Sequence, residues 1–207
     1  MIGYTGSFAA PSAPASGPLD VYLHGYVSSR LMRLPSSENG PSLEDGLPIC
    51  IAATLLDGLV LALTPNHHSM NYRSAVLHGY ATLVTDPDEK LWAMELITSR
   101  MIPKRWENTR VPPNKVEMQS TSILRVNIVS ASAKVRSGGP GEDRKDEKDE
   151  AIRGKVWTGV LPVWNSLGAP VSAEGNVVPV PDHVKELVGS WNSENEKTAK
   201  AAAVPQK

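Results

Sequence analysis

The chain has 207 residues, with 21 Lys and Arg against 22 Asp and Glu and 41% hydrophobic residues, enough to build one core-bearing domain. A formal net charge of −1 gives no electrostatic case for nucleic acid or an anionic membrane as a partner. The lone Cys50 excludes an internal disulfide framework, and no apolar run approaches the ~20 residues of a membrane helix, so a cytoplasmic protein without membrane contact is expected.

In chain order, residues 1–20 lack the positive charge and long apolar stretch of a signal peptide. Met1 to Tyr4 reads as the end of a strand, and 9–18, AAPSAPASGP, as a loop. Val21 to Tyr26 is a short strand. It is followed by Ser28, Ser29 and Arg30, with a helical turn from Leu31. Two serines and an arginine at such a turn suit a phosphate; the alternative is an ordinary N-cap beside a surface arginine. Residues 35–47 form a second polar loop. Pro48 to Leu55 is apolar on both faces, as in a buried strand, which makes Cys50 an inert packing residue. Asp57-Gly58 before Leu59 to Leu63 predicts a hairpin.

Thr64 to Ser74, TPNHHSMNYRS, is the densest polar segment. Arg73 suits phosphate oxygens, and Asn71 and Tyr72 suit polar ring edges; the alternative is a connection that caps its own backbone. His67 and His68 are adjacent and point to opposite sides of an extended chain, so no metal is expected. Ser74 to Thr85 is a strand with Gly79 marking a bulge or bend. A helix follows: Asp86 as N-cap, Pro87 at N1, Leu91, Met94, Ile97 and Met101 at helical spacing, and Pro103 as its stop. A weaker helix is expected over 114–120 and a strand from Leu124 towards Lys134. Residues 137–155 read as a charged, mobile loop, and Trp157 to Trp164 as a last strand, at an edge because of Pro162. Either of these two tryptophans is placed to cover a ligand. The expectation is therefore a mainly β fold with helical decoration, one domain over 1–185 and a disordered tail over 186–207. GxGxxG, HExxH, CxxC and GxSxG are all absent.

The blocks VYLHGYVSSRLMR, PICIAATLLDGLVLA, HHSMNYRSAVLHGYATLV, SAKVRSGGP and VWTGVLPV resemble, in order, the flavin-nucleotide-binding branch of the pyridoxamine 5′-phosphate oxidase-like family, which is similar to 5-nitroimidazole resistance proteins. The resemblance implies a split β-barrel that forms a homodimer with FMN in the groove between subunits. It implies phosphate contacts at Ser28, Ser29 and Arg30, further FMN contacts at Ser69, Asn71, Tyr72, Arg73 and Ser74, and Thr54 and Leu55 beside the flavin ring. His24 matches an active-site histidine, and Lys134 or Arg136 lies where the family chain approaches the cofactor. Relatives begin earlier, so the amino-terminal part of the family domain is expected to be missing. The implied activity is an oxidoreductase that passes electrons from NADH or NADPH through FMN to a nitro-compound, quinone or heterocycle. The alternatives are a flavin-binding module without catalysis, an inactive truncated homologue, and a haem protein with His67, His68 or His78 as axial ligand.

Overall fold

The computed structural model describes residues 1–12, 19–36 and 46–204. Most of the two expected loops at 9–18 and 35–47, and the last three residues of the chain, lie outside that range. The elements are β1 (Ile2–Gly6), β2 (Asp20–Tyr26), α1 (Arg30–Arg33), β3 (Leu47–Leu61), β4 (Ser69–Leu83), α2 (Pro87–Met101), α3 (Lys115–Ser120), β5 (Thr121–Arg136), α4 (Arg144–Glu147), α5 (Glu150–Arg153), β6 (Gly159–Pro162) and α6 (Asp182–Ala202). The strands form one sheet in the order β1-β2-β5-β4-β3-β6, so the fold is mainly β with a few helices, as expected. The chain packs as two compact units: Met1–Ile51 with Leu77–Ala131, and Ala52–Val76 with Ser132–Lys207. Strands β3, β4 and β5 contribute residues to both.

In the first unit β2 pairs antiparallel with β1, Tyr22 opposite Tyr4, and with β5, Leu23 opposite Leu124. The period of two along β2 and β5 then sorts the core into two clusters. Val21, Leu23, Leu124 and Val126 pack with Met32 and Ala81. Tyr22 and Ile123 pack with Val84 and with Ala93 and Ile97 of α2. The start of α2 forms as its sequence predicts: the Asp86 carboxylate accepts from the Asp88 N–H at 2.9 Å, and Pro87 occupies the first turn. Asn114 and Glu117 cap α3 reciprocally. Gly79 has a different reason from the expected bend. A Cβ there would stand 2.1 Å from the Asn127 carbonyl oxygen, so β4 and β5 approach too closely for any side chain. A polar cluster closes one face: Tyr22 OH donates to Glu89 Oε1 at 2.8 Å, and Arg125 Nη1 donates to the same oxygen at 3.1 Å. Burial, then the hydrogen bond to Glu89, raise the Tyr22 hydroxyl above its ordinary range.

In the second unit Gly58 to Leu61 of β3 pairs antiparallel with Pro162 to Gly159 of β6. The hairpin expected at Asp57-Gly58 does not form: β3 runs straight through, with Gly58 to Leu61 paired to β6 and the Val163 N–H donating to the Asp57 carbonyl at 3.1 Å. Pro162 sits in an edge strand, as its missing N–H requires. The apolar stretch expected to be buried is largely uncovered, with Cys50 and Ala52 to Leu56 exposed. The expected disordered tail is instead helical through Ala202, in a segment rich in the strong helix formers Ala, Lys and Glu. The charged loop holds two short helical turns, α4 and α5.

Candidate functional site

The site residues read from the sequence fall into two groups: His24, Ser28, Ser29 and Arg30 in the first unit, and Thr54, Leu55, Ser69, Asn71, Tyr72, Arg73 and Ser74 in the second. In the first group β2 ends at Tyr26, and the turn closes as the Ser29 N–H donates to the Tyr26 carbonyl at 2.9 Å. Ser29 stands at the N-cap of α1 with extended backbone, yet its hydroxyl caps nothing; Oγ is buried without a hydrogen-bond partner. Within the same unit a cavity of about 530 Å³ is lined by Arg30, Arg33, Val27, Met32, Leu83 and Ser122. Arg33 is a second cation that the sequence reading missed, although its spacing of three from Arg30 on a helical turn was legible. Ser28 and His24 are exposed, His24 lying on β2 between Ile2 of β1 and Ile123 of β5.

In the second group Asn71 is fully buried and saturated. Its Nδ2 donates to the carbonyls of Gly138 and Ala202, both at 3.0 Å, and its Oδ1 accepts from Arg136 at 2.5 Å. Arg136 also donates to the Gly139 carbonyl at 3.2 Å. Arg73 grips Asp57 with two prongs, Nε to Oδ2 at 2.8 Å and Nη2 to Oδ1 at 2.9 Å. That bond, ahead of the opposing effect of burial, raises the guanidinium's pKa further. Ser74 Oγ donates to the Lys134 carbonyl at 3.3 Å, and Lys134 Nζ lies 5.8 Å from the centre of the Tyr72 ring. Thr54 and Leu55 are exposed on β3, and Ser69 opens β4 half-buried. Asp57 was read only as a turn residue, and its pairing with Arg73 across sixteen positions carries no local signal. Of the histidines, His68 Nδ1 accepts from the Ala62 N–H at 2.9 Å and His78 is exposed. His183, at the start of α6, is buried with Nε2 unpartnered.

No helix among the described residues is long and apolar enough to cross a membrane. Residues 9–135 match the family model described as pyridoxamine 5′-phosphate oxidase. No curated protein matches the sequence. Among solved structures the chain is similar to the flavocytochrome Anf3 from Azotobacter vinelandii, at 28% identity and a TM-score of 0.68, over 89% of this chain and 83% of that one. It is similar to the FAD and haem binding protein from Mycobacterium smegmatis at 29% identity and a TM-score of 0.69, over 83% of this chain and 78% of that one. A candidate 5-nitroimidazole antibiotic resistance protein from Bacteroides thetaiotaomicron matches at 18% identity and a TM-score of 0.41, over 55% of this chain and 60% of that one.

Proposed function

The chain belongs to the pyridoxamine 5′-phosphate oxidase family, and from that premise we propose that it binds a flavin as FMN, with the phosphate held at the turn between β2 and α1. The observation that carries this reading is the buried, unpartnered hydroxyl of Ser29 beside Arg30, in the unit whose cavity Arg30 and Arg33 line. A hydroxyl without a partner is costly to bury, and a phosphate oxygen accepts from it and from a guanidinium fork alike. Two solved relatives, at 28% and 29% identity, are a flavocytochrome and an FAD and haem binding protein, which supports a flavin here.

When bound, a flavin supplies reversible transfer of one or two electrons; the polypeptide supplies binding and electrostatics. Ser28 and Ser29 offer hydroxyl donors, and Arg30 with Arg33 neutralises the phosphate. His24, exposed on β2 of the same unit, offers an imidazole to hold or release a proton. Asn71 and Arg73 hold the second unit together through Gly138, Ala202, Arg136 and Asp57, and their part is to position the strand that carries Ser69, Tyr72 and Ser74. The reaction we propose is oxidoreduction of a small acceptor with NADH or NADPH as reductant, in a homodimer. The exposed Leu55, Leu56 and Val135 of the second unit are the kind of apolar surface that a second copy covers. The test is the visible spectrum of the purified chain after FMN loading and gel filtration. Retained flavin that is lost in Arg30→Ala and weakened in Arg33→Ala supports the reading; equal retention in both variants overturns the site.

A second reading, haem, is supported by the same two relatives, a flavocytochrome and an FAD and haem binding protein, and by the unpartnered Nε2 of His183. Histidine is an ordinary axial ligand of haem iron. A Soret band on haem titration that is lost in His183→Ala supports it, and its persistence moves the ligand to His67, His68 or His78.

A further inference from the structure

A second cavity, of about 810 Å³, lies within the Ala52–Val76 and Ser132–Lys207 unit. Its walls include Glu142, Glu147, Arg153, Lys155 and Trp157. The Glu142 side chain is 10% exposed. Its Oε1 accepts from the Leu63 N–H at 2.8 Å, while Oε2 is buried without a hydrogen-bond partner. His67 Nδ1 stands 3.7 Å from that oxygen, within ion-pair range when the imidazole is protonated but beyond hydrogen-bond reach, and has no hydrogen-bond partner of its own. A carboxylate oxygen in this state awaits a donor. Trp157 is 62% exposed yet held in place: a Cβ on Gly159 would stand 2.8 Å from its ring atoms, so the indole rests directly on backbone. Arg153 and Lys155 form no ion pair among the described residues.

We propose that this cavity binds an adenylate group. Three features of the wall match three features of that ligand: Oε2 of Glu142 accepts from the exocyclic amine, the Trp157 indole stacks on the purine, and Arg153 and Lys155 take the phosphate. The volume lies within the range of small-molecule sites. The same group occurs in free AMP, in NADH and NADPH, and in FAD. The site shares no residue with the FMN reading and stands or falls separately from it.

The test is calorimetric titration of the full chain, with and without added FMN, with AMP, IMP, adenosine, NADPH and FAD. AMP binds saturably, with a Kd below about 1 mM. IMP, which has a carbonyl in place of the amine, and adenosine, which lacks the phosphate, each bind at least about tenfold more weakly. Glu142→Gln and Trp157→Ala each weaken AMP by at least about tenfold; the second changes an exposed side chain and reports even where the first does not fold. NADPH or FAD that competes with AMP and binds more tightly makes the dinucleotide the source, and AMP as the tighter ligand makes it the free nucleotide. No saturable heat with AMP, IMP binding as tightly as AMP, or AMP affinity unchanged in Trp157→Ala overturns the proposal.

Discussion

Arg73 and Asp57 form a two-pronged ion pair, with Nε and Nη2 donating to Oδ2 and Oδ1 at 2.8 and 2.9 Å. Asp57 is the buried partner, at 6% side-chain exposure against 41% for Arg73. The arginine that composition marks as a phosphate ligand therefore has both prongs on a protein carboxylate. Removing it strands a buried charge. Arg73→Ala is expected to cost about 2–3 kcal/mol in urea unfolding, while changing FMN affinity less than about threefold. A loss of FMN affinity as large as that of Arg30→Ala would return Arg73 to the cofactor.

Asn71 ties three segments of the second unit: the Gly138 turn, Arg136 at the end of β5, and the last carbonyls of α6. The Gly138 N–H donates to the same Ala202 carbonyl at 2.7 Å. Asn71→Ala removes three hydrogen bonds and leaves the buried Gly138 carbonyl without its donor, while Ala202 keeps the Gly138 N–H and Arg136 keeps the Gly139 carbonyl; a loss of about 2–3 kcal/mol is expected. Hydrogen exchange should rise first in the amides of α6. Exchange unchanged over 182–202 would show that the helix does not depend on this anchor.

Two glycines should respond with opposite sign. Gly79→Ala puts a methyl 2.1 Å from the Asn127 carbonyl oxygen, where only movement of the backbone relieves it, and about 3 kcal/mol or more should be lost. A Cβ at Gly189, inside α6, meets nothing within 4 Å, and Gly189→Ala should add up to about 1 kcal/mol. Chemical denaturation of the two variants side by side checks both.

Asp20 gives a pH dependence. Burial, partly opposed by Arg125 and reinforced by Glu89, raises its carboxyl above the ordinary range. A pKa raised in the folded state means that its stabilising contribution is full below the unfolded value near 3.8 and is lost as pH rises through the folded value. Asp20→Asn should therefore be more stable than the parent at neutral pH, with the difference closing as pH falls towards 3.8. The denaturation midpoint of both proteins across acid pH measures this, and a constant difference would refute it.

Local patterns determined much of this protein. A short strand over Val21 to Tyr26 and alternation from Leu124 to Ile128 marked two core strands, and Asp86-Pro87 marked a helix start, because strand period and caps are set within a few residues. The five quoted blocks were enough to reveal the family, and the helical turn that follows Ser29 was legible. What the chain could not show locally depends on distant segments meeting. Asp57-Gly58 carries the signal of a hairpin, but the strand runs on because β6, a hundred residues later, supplies its ladder partners. Asn71 and Arg73 have the chemistry of ligands; Ala202 and Asp57 use that chemistry for structure. The last segment reads as a polar tail until the Asn71 amide and the Asn165 carbonyl give α6 something to hold, the latter through Trp191 at 3.2 Å. Propensity and period are local quantities that sequence displays directly, whereas the partner of a buried polar group is chosen by tertiary packing, which here set Arg73 against the buried carboxylate of Asp57.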